Sequence, residues 1–543
     1  MENGPATQES AEPSTSATAL PGGTTAASHR LKRTAKLRVV GRWPLVAVLA
    51  VQTVLSLRLV RADTAFQDEA LYLHAGHLEW AHLLHSVPLP PFASYFSGAP
   101  VIYPPLGALA DSLGGLVAAR ILSLVFMLGT TVALWAIADR MFGRRAAFFA
   151  AALFAVLGPT LHVGSFATYD AMSLFLLSLA AWLVVRAGDK QDATGWMVAA
   201  GTVLALANAT AYASVLFDPI VILMALIVAF PKPGGRIAAG RALTLLAIVA
   251  VFIIVGLLLG GTSYRHGVAL TTVSRVAGTD SPLVVLAHSW AWTGVVVAAA
   301  VCGVIIGWVT QPRSPQTWLL TLLACAALLV PLEQASLYTT ASLNKHGALG
   351  AWFAAIAAGY AIDWLIEAAP AGNMRAVTGG ACVLALSFPV TLGASQSKVF
   401  ATSWPNASAF ITVFRPLADD TTGRLLVEDP SIAEYYLPAG SQWERWSSTR
   451  NIISRFGTPT GGPSNKAGIV GAGNAGTFAL YIKESYFSLI ALNFADTTSL
   501  DSSIAADIKR NHHYHPVQVV PYGVGPSGPE LGEYVIWQYE PQS

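Results

Sequence analysis

The sequence predicts a polytopic α-helical membrane protein that ends in a soluble α/β domain, and three observations carry that expectation. Hydrophobic residues fill 54% of the 543 positions and charged residues only 11%, where soluble domains carry about 25% charged residues. Apolar runs of roughly bilayer-spanning length recur from residue 43 to residue 395. From about residue 397 the texture changes to short apolar runs divided by Gly- and Pro-rich turns. A net charge of +2, with no basic stripe interleaved with aromatics, gives no footprint for nucleic acid.

Residues 1–38 open the chain as a tail rich in Ala, Ser, Thr, Pro and Gly, too poor in large apolar residues to fold. Arg30, Lys32, Arg33, Lys36, Arg38 and Arg42 then precede the apolar run 43–60. Such an order suits a signal peptide or a retained anchor; the run is long enough to span, which favours the anchor, with the tail in the cytoplasm. Further runs lie near 112–138, 146–161, 168–186, 195–213, 217–230, 240–260, 286–309, 316–336, 347–368 and 376–395, about eleven spans in all. Alternation puts the basic loops "DRMFGRR", "PKPGGRIAAGR" and "QPRSPQ" on the tail's side. Loop 61–111, "LHVGSFATYD" and everything after the last span then fall on the outer side of a plasma membrane. The expected domains are therefore the tail 1–38, a membrane domain 39–396 and an extracytoplasmic α/β domain 397–543.

In that last domain "GRLLVED", "FSLIALNF", "YHPVQVVPYG" and "GEYVIWQYE" read as strands and "SLDSSIAADIKRN" as a helix. "GIVGAGNAG" is glycine-rich, but no helix-forming run continues from it, so it reads as loop rather than a nucleotide fingerprint. Cys302, Cys325 and Cys382 lie inside apolar runs and read as packing residues, not a disulfide or thiolate metal set.

The stretch "TAFQDEALYLHAGHLEW" sets Asp68 and Glu69 side by side after the first span. Leu71, Ala75 and Leu78 recur at helical spacing, which predicts a helix lying along the membrane surface. Two readings of the acids stand: charges that complement the dipole of that helix, or a base at the mouth of a low-dielectric site. His74, His77, His82 and His85 on the same segment spread over too wide an arc to share one ion, which argues against zinc.

The order "DEALYLHAG", "YPPLG" at 103–107, a span, and "TYDAMSLFLL" at the start of a later span resembles the GT-C class of membrane glycosyltransferases. More narrowly it is similar to the protein mannosyltransferase and aminoarabinose transferase superfamily, with its family 39-like and RgtA/B/C/D-like members, over about residues 40–360. That resemblance implies transfer of a sugar from a polyprenyl-phosphate donor to a glycan, glycolipid or protein acceptor at the outer face. It matches Asp68 to the catalytic base, with Glu69 a less certain neighbour. It gives Asp170 as a second polar anchor that faces Asp68, and leaves a divalent cation open as cofactor. Tyr72, Tyr103 and Tyr169 would line the substrate cavity. Aminoarabinose transferases commonly have Lys before the Pro-Pro pair, and Tyr103 stands there in this chain.

One base carboxylate with cationic phosphate contacts suffices for inversion. The acceptor hydroxyl loses its proton as the anomeric carbon gains oxocarbenium character, and phosphate departs as an anion. Lys345 and His346, where the tenth span begins, are the expected donor-phosphate contacts, with Arg265, His266 and Arg275 of the preceding outer loop as reserves. Interfacial snorkelling is the plainer reading of each. The rival function is a lipid or glycan transporter or flippase, which would carry acids midway through several spans and inverted repeats; here the acids cluster at outer span ends.

Overall fold

The computed structural model describes residues 43–438, 442–449, 452–454, 468–470, 475–524 and 530–541; the expected tail lies outside them. The start of the first helix, Trp43 to Ala47, falls in one unit, and the described residues from Val48 onward, with the remaining elements, form the other. In chain order the helices are α1 (Trp43–Leu57), α2 (Gln67–His85), α3 (Tyr103–Phe142), α4 (Arg144–Ala155), α5 (Gly158–Val163), α6 (Tyr169–Ala187), α7 (Thr194–Thr210), α8 (Asp218–Ala229) and α9 (Gly235–Leu259). They continue with α10 (Gly261–Thr271), α11 (Pro282–Thr310), α12 (Pro315–Ala326), α13 (Leu329–Ser336), α14 (Leu343–Ala368), α15 (Asn373–Ala385) and α16 (Ser387–Phe400). Each expected apolar run contains a helix. Among the described residues, eight helical stretches are long and apolar enough to cross a membrane, and α1 is a shorter apolar one.

Local chemistry sets the helix starts. The hydroxyls of Ser281 and Ser314 accept from the N–H groups of Val284 and Thr317 at 3.4 and 3.1 Å, with Pro282 and Pro315 in the first turns. Pro104 and Pro105 open α3 in the same way, and Gly114 and Gly115 break its regularity, Gly115 at φ 66°. The central helix is α14. It buries Trp352 and Phe353 completely, and the Trp352 indole donates to the Thr130 carbonyl at 3.1 Å. By contrast α9 carries exposed Leu243, Leu246, Phe252 and Leu258, as a lipid-facing helix does.

Beyond α16 come α17 (Ser408–Asp420), β1 (Arg424–Val427), α18 (Pro430–Tyr436), β2 (Trp446–Ser447), β3 (Ile452–Ser454), β4 (Gly468–Val470), α19 (Ala475–Lys483), β5 (Phe487–Leu492), α20 (Thr498–Arg510), β6 (Tyr514–Gly523) and β7 (Glu530–Tyr539). Five strands form one sheet in the order β2-β1-β5-β7-β6. β1 runs parallel to β2 and β5, and β7 antiparallel to β5 and β6. Leu425, Val427, Leu489 and Ala491 point to a core with Phe410 and Phe414 of α17, while Leu426, Ile490 and Leu492 point to Phe478 of α19 and Ile504 of α20. Burial on both faces explains why these strands read as unbroken apolar runs. Pro516 and Pro521 are accommodated because β6 is an edge strand.

Two expectations are corrected, and α2 is more enclosed than the sequence suggested. In α2, Glu69, Ala70, Tyr72 through Gly76 and Leu78 are buried, against α3 and α18. Gly76 lets α3 come so close that a Cβ there would stand 1.9 Å from the Pro104 carbonyl oxygen. "GIVGAGNAG" is not all loop. Gly468–Val470 pairs with Ile452–Ser454, and α19 starts at Ala475 because Phe478 and Ile482, one turn apart, share a buried face. Cys302 and Cys325 are exposed rather than packed, and Cys382 is half-buried; all three are free.

Candidate active site

Three helix starts converge. α2 presents Asp68 in its first turn, α6 presents Asp170 in its first turn, and α14 presents Lys345 and His346 in its first turn. The Lys345 ammonium donates to Asp68 Oδ2 at 2.7 Å and lies 3.5 Å from Asp170 Oδ2. His346 Nε2 stands 3.4 Å from Asp170 Oδ1. Carboxylates are favoured at helix N-termini and a lysine is not, so the two acids supply the counter-charge that lets Lys345 stay buried. Exposure divides the pair: the Asp68 side chain is 34% accessible and that of Asp170 only 3%.

Glu69 turns the opposite way and is fully buried. Arg120 of α3 grips it with two bonds, Nε to Oε1 at 2.8 Å and Nη2 to Oε2 at 2.6 Å. The other guanidinium hydrogens reach the carbonyls of Val60, Asp63 and Thr64 at 2.9, 3.1 and 3.2 Å. Glu69 also accepts from the N–H groups of Ala167 and Phe66 at 2.7 and 3.4 Å. It thereby ties α2 to the segment before α6, which carries Asp170. Both its oxygens are engaged in these contacts, which join α2 to α3 and to the segment before α6. Arg120 was missed by the sequence reading. Its signal was a single arginine inside an apolar span, a position that requires a buried partner.

The tyrosines expected in the cavity are all buried. Tyr72 and Tyr169 face each other with ring centroids 4.4 Å apart, and Phe96 stands against Tyr72 at 5.5 Å. The Tyr103 hydroxyl stands beside Ser123 and lies within electrostatic reach of Asp170. A second missed residue, His162 of α5, is buried beside Phe166 and Phe400, with Nδ1 unpartnered and the charges of Lys345 and Asp170 nearby.

Arg265 and Arg275 are not brought to this cluster. Arg265 lies on α10, where an outer loop was expected, and donates to the Gly261 carbonyl at 3.2 Å, while Arg275 pairs with Glu333 at 3.5 Å. The other histidines of α2 are also placed: His77 contacts Asp111 at 2.7 Å and His82 the Val87 carbonyl at 2.7 Å. Burial, and to a smaller extent His77, lowers the His74 pKa to about 4. Among the described residues no three His, Cys, Asp or Glu side chains gather as a metal site. Asp68 and Asp170 are two carboxylates with the Lys345 ammonium between them.

A family model described as dolichyl-phosphate-mannose-protein mannosyltransferase matches residues 108–259. Across most of the chain the fold is that of solved GT-C enzymes. The Cupriavidus metallidurans aminoarabinose transferase ArnT, bound to undecaprenyl phosphate, superposes with a TM-score of 0.57 at 13% identity, over 92% of this chain and 100% of that one. This protein has the GT-C glycosyltransferase fold. Two structures of the Archaeoglobus fulgidus oligosaccharyltransferase extend the likeness. The apo form gives a TM-score of 0.56 at 12% identity, covering 90% of this chain and 74% of that one. The form with an inhibitory peptide and a dolichol-phosphate gives 0.54 at 13%, with the same coverage. No curated protein sequence matches at a significant level. The matched segment 108–259 includes Asp170 and Arg120 but stops short of Lys345, so the cation of the cluster comes from outside it.

Proposed function

We propose that this protein is an inverting glycosyltransferase that moves a sugar from a polyprenyl-phosphate donor to an acceptor hydroxyl on the outer face of the membrane. The observation that carries the reading is the single lysine shared by two carboxylates from different helices, 2.7 Å from Asp68 and 3.5 Å from Asp170. A donor phosphate arriving at the starts of α14 and α6 meets Lys345, His346 and helix N-termini. Competition for Lys345 releases Asp68, which then accepts the proton of the attacking hydroxyl while the C1–O bond to phosphate breaks. Asp170, deeper and paired with His346, keeps Lys345 in register.

A small cleft beside the start of α14, lined by Trp292, Val330, Pro331, Leu343, Gly347 and Gly350 together with Ser289 and Thr293, offers a mostly apolar surface against which the carrier chain can lie. The ligands of the neighbouring folds, undecaprenyl phosphate and a dolichol-phosphate, support a lipid-phosphate donor. An external site goes with a cytoplasmic N-terminus and an external C-terminal sheet. A cysteine placed at the exposed Ser408 should then react with an impermeant thiol reagent in intact cells, and labelling only after lysis would refute that orientation.

The deciding test compares lipid extracts of a parent strain, a deletion strain and the deletion complemented with Asp68→Asn. One polyprenyl-phosphate sugar should accumulate in the second and third and not in the first. Identical lipid-linked sugars in all three would overturn the reading.

A further inference from the structure

The short helix α18 belongs to the C-terminal part of the chain but is fastened to the membrane part beside α2. The Tyr435 hydroxyl donates to Asp111 at 2.7 Å, and the Tyr436 hydroxyl accepts from the Ala65 N–H at 2.8 Å. Tyr435 also packs against Leu73 and Ala167, and farther along the Trp443 indole donates to the Pro88 carbonyl at 3.0 Å. These anchors fix the carboxyl of Glu434. That group is half-buried and has no hydrogen bond or ion pair among the described residues. It stands close enough to Tyr95 to act electrostatically on the phenol.

Tyr95 ends a row of aromatic rings that starts at the cluster. Tyr169, next to Asp170, meets Tyr72, one turn after Asp68, at 4.4 Å; Tyr72 meets Phe96 at 5.5 Å; and Phe96 meets Tyr95 at 5.5 Å. The first three are buried, whereas Tyr95 is 37% exposed. The row thus leads away from Asp68 to an accessible ring in the neighbourhood of the Glu434 carboxyl.

We propose that Tyr95 and Glu434 form a saccharide-binding subsite for the acceptor, with a sugar ring lying on the Tyr95 face and one of its hydroxyls bonded to the Glu434 carboxyl. This rests on the glycosyl-transfer reading and adds the class of acceptor. The attacking hydroxyl belongs at Asp68, so the rest of the acceptor extends along the row and not toward the phosphate contacts of α14. An aromatic face accepts the polarised C–H groups of a sugar, and a few polar groups in an aromatic cleft give orientation. A purely apolar acceptor would cover a half-buried carboxyl and leave it without a partner, which is costly. Burial, reinforced by Asp429, pushes the Glu434 pKa up to about 8. At neutral pH such a group donates and accepts at once, as a sugar hydroxyl does, and so suits a neutral glycan better than an amine.

The test uses the full-length protein in detergent on an array of immobilised neutral oligosaccharides, with unglycosylated Ser/Thr peptides alongside. Wild type and Asp68→Asn should retain at least one oligosaccharide. Tyr95→Ala and Glu434→Leu should each lower its retention at least tenfold, and Tyr95→Trp should preserve it. Unfolding temperatures identify any variant that fails to fold, in which case Tyr95→Leu and Glu434→Met take their place: a fall for both, with retention by Tyr95→Trp and by Glu434→Gln, which still donates and accepts, supports the subsite. No bound oligosaccharide, equal retention by all folded variants, or binding of the peptides instead overturns it. Transfer is not needed for this readout, so normal turnover by Asp68→Asn would refute the reaction while leaving the subsite standing.

Discussion

The membrane part and the C-terminal sheet each enclose a pair of carboxyl groups, and the two pairs are held by different means. Asp68 and Asp170 come from the first turns of α2 and α6, and a lysine stands between them. Glu428 follows β1 at the carboxyl end of the sheet and accepts from the N–H groups of Asn493, Asp496 and Thr497 at 2.9, 2.6 and 3.0 Å. Its neighbour Asp501 is fully buried, takes a hydrogen bond from the Thr497 hydroxyl at 2.9 Å, and meets no cation among the described residues. A mobile counter-ion can be drawn off by a ligand, but backbone N–H groups cannot leave. The first arrangement suits chemistry and the second suits holding a loop.

The largest effect bearing on this contrast is on turnover. Asp68→Asn keeps the side-chain shape and removes the proton acceptor, so transfer should fall by about 10²- to 10⁴-fold with donor binding largely kept. Losing only a helix-dipole charge costs about 0.3–1 kcal/mol. Near wild-type turnover would therefore reduce Asp68 to a helix-start acid.

Next in size is the structural acid beside it. Arg120→Leu strands Glu69 in a site with no solvent, and removing one partner of a buried pair costs about 3–5 kcal/mol. Thermal unfolding in detergent should drop markedly and recover most of the loss in Arg120→Leu with Glu69→Met. A single variant as stable as wild type would show that the pair does not anchor α2.

How far all this was legible depends on range. The expected apolar runs each contain a helix, because span length and hydropathy are local properties. Strands β1, β5, β6 and β7 were also readable, since burial on one or both faces writes itself into the apolar pattern. What holds Glu69 was not. It depends on Arg120, 51 positions after Glu69, and adjacent residues on a helix point about 100° apart. Nor was α18 readable as a part of the site's surroundings: "PSIAEYY" is short and mixed, and its meaning comes only from contact with Asp111 and Ala65. Lys345 and His346 could be singled out as cations at a span start, but their partners lie far away in the chain.

Lys345 gives the third comparison. Lys345→Gln should weaken the binding of a short-chain polyprenyl phosphate by about 1.5–3 kcal/mol, the contribution of a charge-assisted contact. Isothermal titration of the purified variant measures this. Unchanged affinity would move the phosphate site toward Arg265 and Arg275.

The smallest effect concerns the sheet. Burial, then the charge of Glu428, pushes the Asp501 pKa up to about 7, well above the value of about 3.9 for an unfolded aspartate. The folded state therefore binds more protons than the unfolded one between these values, so stability from this group is full below about pH 4 and falls as pH rises through 7. Hydrogen exchange over residues 493–501, corrected for intrinsic rates, should show that segment opening more readily at pH 8 than at pH 5. Asp501→Asn, which cannot titrate, should flatten that difference while leaving the Asp68 cluster and turnover unchanged. If the variant retains the full pH dependence, the proton is not held at Asp501, and the contrast between a lysine-bridged pair and a proton-sharing pair loses its second half.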